Sequence, residues 1–455
     1  MKRDMFHRGS HSADAQNSRR PGFRSNRRGG SGGRAGFGRQ TAAERERRMG
    51  FGGGAHSKKT AQAVERRDEN EKLIPEVSLQ LPKKRRKRAV KRVSFWLAMA
   101  MLPAAAIWWV AGLVRENIRQ QDLVRLSGLS YKELLAETLA GQPEAAVSVA
   151  VIQGPTVSYL LYGEDAVALP YESKDYELGE MTQSFTAAML CKAASEGLLS
   201  LHDPIDLHLD LPEDRVYPTL RQLSTHMGGY RNRYFALPML ENRYNGENPV
   251  TGISYQSILT KAGEIRLKEA DMVFAPSDFG MSVLGQLLAR SYQRDYQGMM
   301  NDYVYWDLAL PNTRIQERAL PGGWQWDGTD GYLPALGMDS NLEDMVQFLQ
   351  MHMRGDPAYL GPAKITQVHL DGSSPDDRLL GISTDGLTVG WRVDQKNEII
   401  WTRGRTDSYC AYMGYDVGNW CGIVILSNLP EEEFPAPLIG MKKIREMLEA
   451  DRAGK

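Results

Sequence analysis

The feature that most constrains this chain is an uncharged, apolar run from Val93 to Val114. It is long enough to cross the hydrocarbon core of a bilayer, about 30 Å thick, as a single helix. Tryptophans lie near both of its ends, where membrane interfaces favour them, and membrane helices tolerate a proline such as Pro103. The run therefore predicts a transmembrane helix over residues 93–114.

A basic cluster, Lys83–Arg88 followed by Lys91 and Arg92, comes directly before this run. Positive residues stay on the cytoplasmic side of a membrane, so the sequence predicts a single-pass membrane protein. Its N-terminus would be cytoplasmic and residues 115–455 extracytoplasmic. A cleaved signal peptide is the alternative, since Ala104–Ala106 offers small residues, but the preceding basic region is too long for one.

Residues 1–92 form a basic segment rich in Arg and Gly, with 26 Lys and Arg against 9 Asp and Glu. Its net charge is +17, and the rest of the chain is −17, because the whole chain is +0. With almost no apolar periodicity, this segment is predicted to be a disordered cytoplasmic tail. Binding to nucleic acid or anionic lipid is one hypothesis for it, and a solvated tail without a partner is the other.

Beyond the predicted span, residues 115–142 are interpreted as a helical stalk and residues 143–455 as the extracytoplasmic domain. A β-hairpin is predicted over 146–162, a helix over 182–197, and three strands over 399–402, 409–415 and 422–426. A C-terminal helix is predicted from about Pro437 to Ala450, after a long, largely helical middle. Strands at both ends with helices between them indicate an α+β fold built on one antiparallel sheet flanked by helices.

The cysteines and histidines indicate no disulfide, metal or cofactor. Cys191 lies in an apolar helix pattern, and pairing Tyr415 with Trp420 in a hairpin leaves Cys410 and Cys421 out of register. His202 and His208 lie in a loop without the spacing of a metal site.

Five segments, taken in order, resemble the class C β-lactamase and penicillin-binding-protein-like serine hydrolases over about residues 143–450. They are Phe185–Leu190 continuing to Ile205, Leu223–Tyr230, Phe274–Gly285, Gly337–Met345, and Val389–Trp391 with the closing strands. The resemblance implies the β-lactamase/transpeptidase-like fold, with the middle of the chain as a helical insertion. It also implies that His226 packs and hydrogen-bonds rather than catalyses.

This family works through Ser-x-x-Lys at a helix start, a Tyr or Ser with a nearby Asn, and Lys- or His-x-Gly on an edge strand. The strand charge holds the substrate carboxylate, and its backbone helps to form the oxyanion hole. In this chain all three motifs are degenerate, and only the glycine of the last one is kept. The matching positions are Glu180 and Gln183, Pro276 and Asp278, and Thr402, Arg403 and Gly404.

The resemblance therefore predicts a pseudoenzyme without catalytic residues, which binds a cell-wall peptide or an envelope protein. Arg403 or Arg405 is expected to pair with Glu180, the alternative being a solvent-exposed Glu180. A second hypothesis is a hydrolase that uses Glu180 and Asp278 on a peptide, ester or glycan. The aromatic residues Trp306, Trp324, Trp326 and Tyr332 are expected either at the pocket mouth or in the core.

Overall fold

The structure, a computed structural model, describes residues 109–454 except 111, 115, 119, 317, 374–376, 379 and 417. The predicted basic tail and most of the predicted membrane span lie outside these residues. Within them, no helix has the length and apolar character that a bilayer crossing requires.

The chain alternates between a central sheet and helices that cover it. Residues 112–127, apart from 115 and 119, are helical and are called the N-terminal helix below. The remaining helices are α1 (Tyr131–Thr138), α2 (Thr182–Ser195), α3 (Leu220–Ser224), α4 (Pro238–Asn245), α5 (Tyr255–Glu264), α6 (Asp278–Ser291), α7 (Tyr296–Asp302), α8 (Leu333–Leu336), α9 (Leu342–Arg354) and α10 (Ala436–Gly454). The strands are β1 (Val147–Gln153), β2 (Thr156–Tyr162), β3 (Ala168–Leu169), β4 (Asp175–Glu177), β5 (Asp339–Asn341), β6 (Val368–His369), β7 (Gly386–Leu387), β8 (Arg392–Asp394), β9 (Ile399–Arg405), β10 (Cys410–Asp416) and β11 (Cys421–Ser427).

Within the described residues, one antiparallel sheet of nine strands has the order β3-β2-β1-β11-β10-β9-β8-β7-β6. Strands β4 and β5 form a separate pair. The first long strand, β1, lies beside the last, β11, with Val147 opposite Ser427. This confirms the prediction that the two ends of the domain share one antiparallel sheet.

The sheet is buried on both faces because apolar side chains alternate between two cores. On β10, Ala411, Met413 and Tyr415 join the larger core with α2, α6 and α9. Cys410 and Tyr412 join the smaller core with α1 and α10. The functional site described below lies where β9 meets the start of α2, on the side of the larger core.

Helix α1 belongs to the smaller core. Leu134, Leu135 and Leu139 are buried there, and the Tyr131 N–H donates to the Glu446 carboxylate of α10 at 2.8 Å. Part of the segment interpreted as a stalk is therefore packed against the domain. Sequence periodicity shows that α1 has an apolar face, but it does not show what covers that face.

The β10–β11 hairpin differs from the predicted register. Tyr415 lies opposite Gly422 rather than Trp420, because a four-residue connection after Asp416 places Trp420 in the left-handed region at φ +55. The Asp416 carboxylate accepts from the Gly418 and Asn419 amides and stabilises this longer turn. Cys191 is buried, as expected, and Cys410 and Cys421 are also buried free thiols.

Candidate functional site

The residues at the three degenerate motifs come together in one place. A cavity of about 130 Å³ is lined by Glu180, Gln183, Asn232, Pro276, Asp278, Arg392, Arg403, Arg405 and Glu431. Thr402 lines a small adjoining cavity that shares Glu180, Gln183 and Arg403. The residues come from the start of α2, the start of α6, and strands β8 and β9.

Glu180 is positioned by a close approach of two backbone segments. It lies in the 3-10 turn Gly179–Met181, which leads directly into α2. A Cβ atom on Gly404 of β9 would overlap the Leu178 carbonyl and the Met181 amide, and one on Gly179 would overlap the Arg405 backbone. Glycine is therefore required at both positions, which explains why Gly404 is kept while the residues around it differ.

The Glu180 carboxylate accepts a hydrogen bond from the backbone N–H of Arg405 at 2.7 Å. Arg405 is the residue after Gly404 on β9, whose backbone, by the family resemblance, contributes to the oxyanion hole. The expected edge strand is wrong for this position, because β8, β7 and β6 extend the sheet beyond β9. A side-chain carboxylate therefore holds the donor that would otherwise be directed at a substrate carbonyl oxygen.

Glu180 does not form the expected ion pair with an arginine side chain; its partner is the backbone N–H of Arg405. Among the described residues no guanidinium lies within 4 Å of Glu180; Arg403 pairs with Glu431 at 2.8 Å. Arg405 approaches Glu431 at 3.6 Å and Glu432 at 3.5 Å. Glu431 and Glu432 were not predicted at this site, because they follow β11 in a loop without a recognisable motif.

Asp278 is buried and held from three sides. The Gln183 side-chain amide donates to Oδ1 at 3.0 Å, and Arg233 Nε donates to Oδ2 at 2.9 Å. The Asp278 amide donates to the Asn232 side chain at 2.9 Å, while Ser277 caps the start of α6. Residues at two of the three degenerate motifs, Gln183 and Asp278, thus contact each other directly.

Burial and the nearby charge of Glu180 raise the pKa of Asp278 to about 7, although Arg233 opposes the shift. Its carboxyl group therefore changes protonation near neutral pH. Arg233 and Asn232 were not predicted, because they lie in an irregular loop just beyond the Leu223–Tyr230 segment.

Arg392 supplies a third positive group to the cavity. Burial and the positive charge of Arg403 lower the pKa of Arg392 to about 10. Its guanidinium carbon lies 5.3 Å from the centre of the Trp401 ring, within range of a cation–π contact. The cavity thus combines three arginines with the carboxyl groups of Glu180, Asp278 and Glu431.

His226 makes the packing and hydrogen-bonding contacts expected of it. Its Nδ1 accepts from the Ser277 amide at 3.2 Å, and its carbonyl oxygen accepts from the Ala275 amide. Burial and the charge of Arg392 lower the pKa of His226 to about 3, so the ring is neutral at physiological pH. His226 therefore connects the loop before Tyr230 to the start of α6 by hydrogen bonds.

The aromatic residues considered for the pocket mouth lie elsewhere. Trp324, Trp326 and Tyr332 are buried in the larger core, and Trp324 Nε1 donates to the Asp407 carboxylate at 3.1 Å. The side chain of Trp306 is 74% exposed, and none of the four lines either cavity. Core packing is therefore the correct interpretation for three of them.

The hydroxyl residues that line the smaller cavity are Ser224, Thr225 and Thr402. Neither cavity is lined by a lysine. On α2, the Thr182 hydroxyl accepts from the Met338 amide at 3.1 Å, and the buried Ser184 hydroxyl donates to the Met181 carbonyl at 2.8 Å. In the described part of the chain no group of three or more His, Cys, Asp or Glu side chains is arranged to hold a metal ion.

The cavity opens into a larger groove of about 1,060 Å³, called the front groove below. The two spaces share Pro276, Arg392, Arg403, Arg405 and Glu431. The far wall of the front groove is the N-terminal helix, through Ile118, Asp122, Leu123, Arg125 and Leu126.

Known proteins resemble this chain at low identity. It is 20% identical over 281 residues to Protein flp of Staphylococcus aureus (strain MW2), covering 57% of this chain and 54% of that protein. The chain thus spans about half the length of this relative. It is 24% identical over 341 residues to a β-lactamase of Pseudomonas fluorescens, covering 63% of this chain and 89% of that protein.

Among solved structures, a β-lactamase/D-alanine carboxypeptidase of Yersinia pestis complexed with citrate matches with a TM-score of 0.55 at 15% identity. The match covers 72% of this chain and 98% of that one, and at this identity it shows the fold alone. A family model described as Beta-lactamase matches residues 132–442, which is more than half of the chain. With its nine-stranded antiparallel sheet, covering helices and site between β9 and α2, the chain belongs to the β-lactamase family.

Proposed function

We propose that this protein is a single-pass membrane protein whose extracytoplasmic domain binds a ligand or partner at the bacterial cell envelope without hydrolysing it. The observation that carries the proposal is the hydrogen bond from the Arg405 backbone N–H to the Glu180 carboxylate. It places an anion against the donor that a hydrolase of this family would keep for the developing oxyanion.

This arrangement opposes acyl transfer in two ways. The carboxylate of Glu180 is a weak nucleophile compared with an activated serine, and among the described residues no lysine lines either cavity to take up the proton of a hydroxyl nucleophile. Its negative charge would also repel an oxyanion forming nearby, since such charges interact strongly where water is excluded.

The charges of the cavity favour a ligand that carries both a carboxylate and a donor group. Arg392, Arg403 and Arg405 would face the carboxylate, and Asp278 and Glu180 would face an amine or amide. The similar Yersinia pestis enzyme is described with citrate, which is a carboxylate ligand. A cell-wall peptide, or a segment of an envelope protein with these groups, has the required chemistry.

A hydrolase that works through Glu180 and Asp278 is the second candidate. The observation in its favour is that both carboxyl groups line one cavity and that the pKa of Asp278 is about 7, suitable for a general acid. Against it, both carboxyl groups are already engaged, Glu180 by Arg405 and Asp278 by Gln183 and Arg233. Turnover of an ester, amide or glycoside that disappears in Glu180→Gln would favour this candidate.

The direct test is covalent labelling of the full chain, in membranes, with a fluorescent penicillin. We expect no adduct on the wild type, because position 180 has no hydroxyl group. A covalent adduct on the wild type would overturn the proposal, and the labelled peptide would identify the nucleophile.

The same experiment includes two revertants. Glu180→Ser/Gln183→Lys restores the family motif but places the new lysine against the Asp278 carboxylate, which would hold it as an ion pair. We therefore expect labelling to be stronger in the triple variant that adds Asp278→Asn. Labelling of a revertant would show that the pocket still accepts the ligand class of its relatives.

A further inference from the structure

Most charged side chains around the Glu180 cavity are paired with one another. The pairs are Arg403 with Glu431 at 2.8 Å, Arg405 with Glu431 at 3.6 Å, and Arg233 with Asp278 at 2.9 Å. Charges that neutralise each other in this way offer little to a ligand. Among the described residues that line the cavity, Glu180 and Arg392 are the two charged groups outside these pairs.

Arg392 presents an unpaired guanidinium to the cavity. Its side chain is partly buried, and no carboxylate oxygen of the described residues lies within 4 Å of its nitrogens. Asp377, Glu180 and Glu431 attract it only from beyond that distance. The Trp401 ring lies 5.3 Å away against one face of the guanidinium, which leaves the N–H groups in its plane without a described acceptor. A partly buried charge without a partner is costly, so this group favours the binding of an anionic group.

Glu180 presents one carboxylate oxygen to the same cavity. Its Oε2 accepts from the Arg405 N–H at 2.7 Å, whereas its Oε1 has no hydrogen-bond partner in the part of the chain that the structure describes. Glu180 and Arg392 both line the cavity and the smaller one beside it, but no Arg392 nitrogen lies within 4 Å of a Glu180 oxygen. An anion and a cation therefore face one space without touching.

The charge and the size of the cavity limit what can lie between them. Its lining has three acidic and three basic side chains, which are Glu180, Asp278, Glu431, Arg392, Arg403 and Arg405. A ligand with a single charge would leave either Glu180 or Arg392 without a partner. The volume of about 130 Å³ equals that of roughly four water molecules in the liquid. The space therefore suits one small group that carries both charges and is neutral as a whole.

We infer that the cavity binds the zwitterionic head group of an α-amino acid, with the ammonium group at Glu180 Oε1 and the carboxylate at Arg392. This inference names the ligand class for the binding role proposed above and rests on that role. The amino acid side chain would lie toward the front groove, which adjoins the cavity. The head group contains no ester or amide bond, so its binding requires no acyl transfer.

The same head group has two sources. Free amino acids carry it, and so does the free end of a diamino acid in a cell-wall peptide. An ordinary peptide terminus carries only one of the two charges, so it would satisfy either Glu180 or Arg392 but not both.

The test is isothermal titration calorimetry of the full chain, purified in detergent, with D- and L-alanine and D- and L-leucine. Propionate, which lacks the ammonium group of alanine, and ethylamine, which lacks the carboxylate, are the matched analogues. We expect an alanine enantiomer to bind about tenfold or more tightly than either analogue, because each analogue loses a charge-assisted hydrogen bond. Failure of all four amino acids to bind, or equal affinity for alanine and propionate, would overturn the inference.

A wall-peptide fragment distinguishes the two sources. The dipeptide γ-D-glutamyl-meso-diaminopimelate has a free amino-acid end. If it binds more tightly than alanine and leucine, the ligand is a wall peptide; if it binds more weakly, the ligand is a free amino acid.

Charge-removing variants assign each contact. Arg392→Gln should lose the preference for alanine over ethylamine, and Glu180→Gln the preference for alanine over propionate. Arg392→Lys, which keeps the charge, should retain part of the affinity. The controls Arg290→Gln and Asp210→Asn remove the same charges from an exposed ion pair outside the cavity and should leave binding unchanged. A similar loss in the controls would contradict the assignment.

Two further measurements on the same samples keep the outcomes distinct. Thermal unfolding without ligand should show Arg392→Gln at least as stable as the wild type, because its charge has no close partner to lose. A large drop in melting temperature would instead make Arg392 a structural residue and overturn its role. Labelling of the wild type by fluorescent penicillin would overturn the proposed non-hydrolytic function. Without labelling, a failure of the amino acids to bind would overturn this inference alone.

Discussion

At the scale of single residues, the site is defined by the hydrogen-bond partners of Glu180 and Asp278. Glu180 accepts from the Arg405 N–H, and the two oxygens of Asp278 accept from Gln183 and Arg233. Sequence comparison located Glu180, Gln183 and Asp278 because they replace motif residues at fixed positions. It did not locate Arg233 or Glu431, because these come from loops whose paths depend on packing far away in the chain.

Asp278 should make stability depend on pH. Its pKa in the folded protein, about 7, is above the usual value for aspartate of about 3.9, so folding favours the protonated form. Stability from this group is therefore fully present below about pH 4 and is lost as the pH rises to about 7. In Asp278→Asn, thermal unfolding followed from pH 4 to 8 should lose this decline, which corresponds to roughly 2–4 kcal/mol. An unchanged decline in the variant would assign the effect to another group.

At the scale of elements, the central geometric fact is that β9 and the turn before α2 touch through their backbones. The strand predicted from apolar patterning ended at Thr402, whereas β9 continues to Arg405 and includes the Arg403 and Gly404 that the family resemblance assigned to a strand. Apolar patterning stops at Thr402, so it could not predict this extension. The last three residues are held in β9 by pairing with β10, where Gly404 lies opposite Ala411.

Gly404→Ala should destabilise the protein strongly, because the added methyl group would meet backbone atoms that cannot rotate away. Overpacking of this kind costs roughly 1–3 kcal/mol or more. Gly418→Ala in the β10–β11 turn is a suitable control, since its Cβ would make only ordinary contacts at 3.7 and 3.9 Å. The melting temperatures of the two variants, measured together, should differ by several degrees. Similar values would contradict the close approach.

At the scale of the whole molecule, the domain is a sheet between two cores, and its α+β class followed from the order of predicted strands and helices. The residue at which the domain begins could not be predicted from that order. The sequence of α1 is that of a short amphipathic helix, which fits either a stalk or a part of the domain. Only the packing of Leu134 and Leu135 against α10 shows that α1 belongs to the smaller core.

Leu134→Ala should therefore lower the stability of the domain. Removing a fully buried leucine side chain from a core costs roughly 2–5 kcal/mol. The same truncation at exposed Lys132, on the other side of α1, should have little effect. Chemical denaturation of both variants measures the difference, and equal midpoints would show that α1 does not contribute to the cooperative unit.

The attachment of α1 to α10 also has a mechanical consequence. Any force transmitted along the chain from the N-terminal helix reaches α1 before it reaches β1, and α1 is fastened to α10 by Tyr131 and Glu446. The Lys442 ammonium group adds a second fastening at the Ser127 carbonyl oxygen, 2.6 Å away. A force applied to the N-terminal helix would thus act first in shear between α1 and α10. The strands that frame the Glu180 cavity would be strained last.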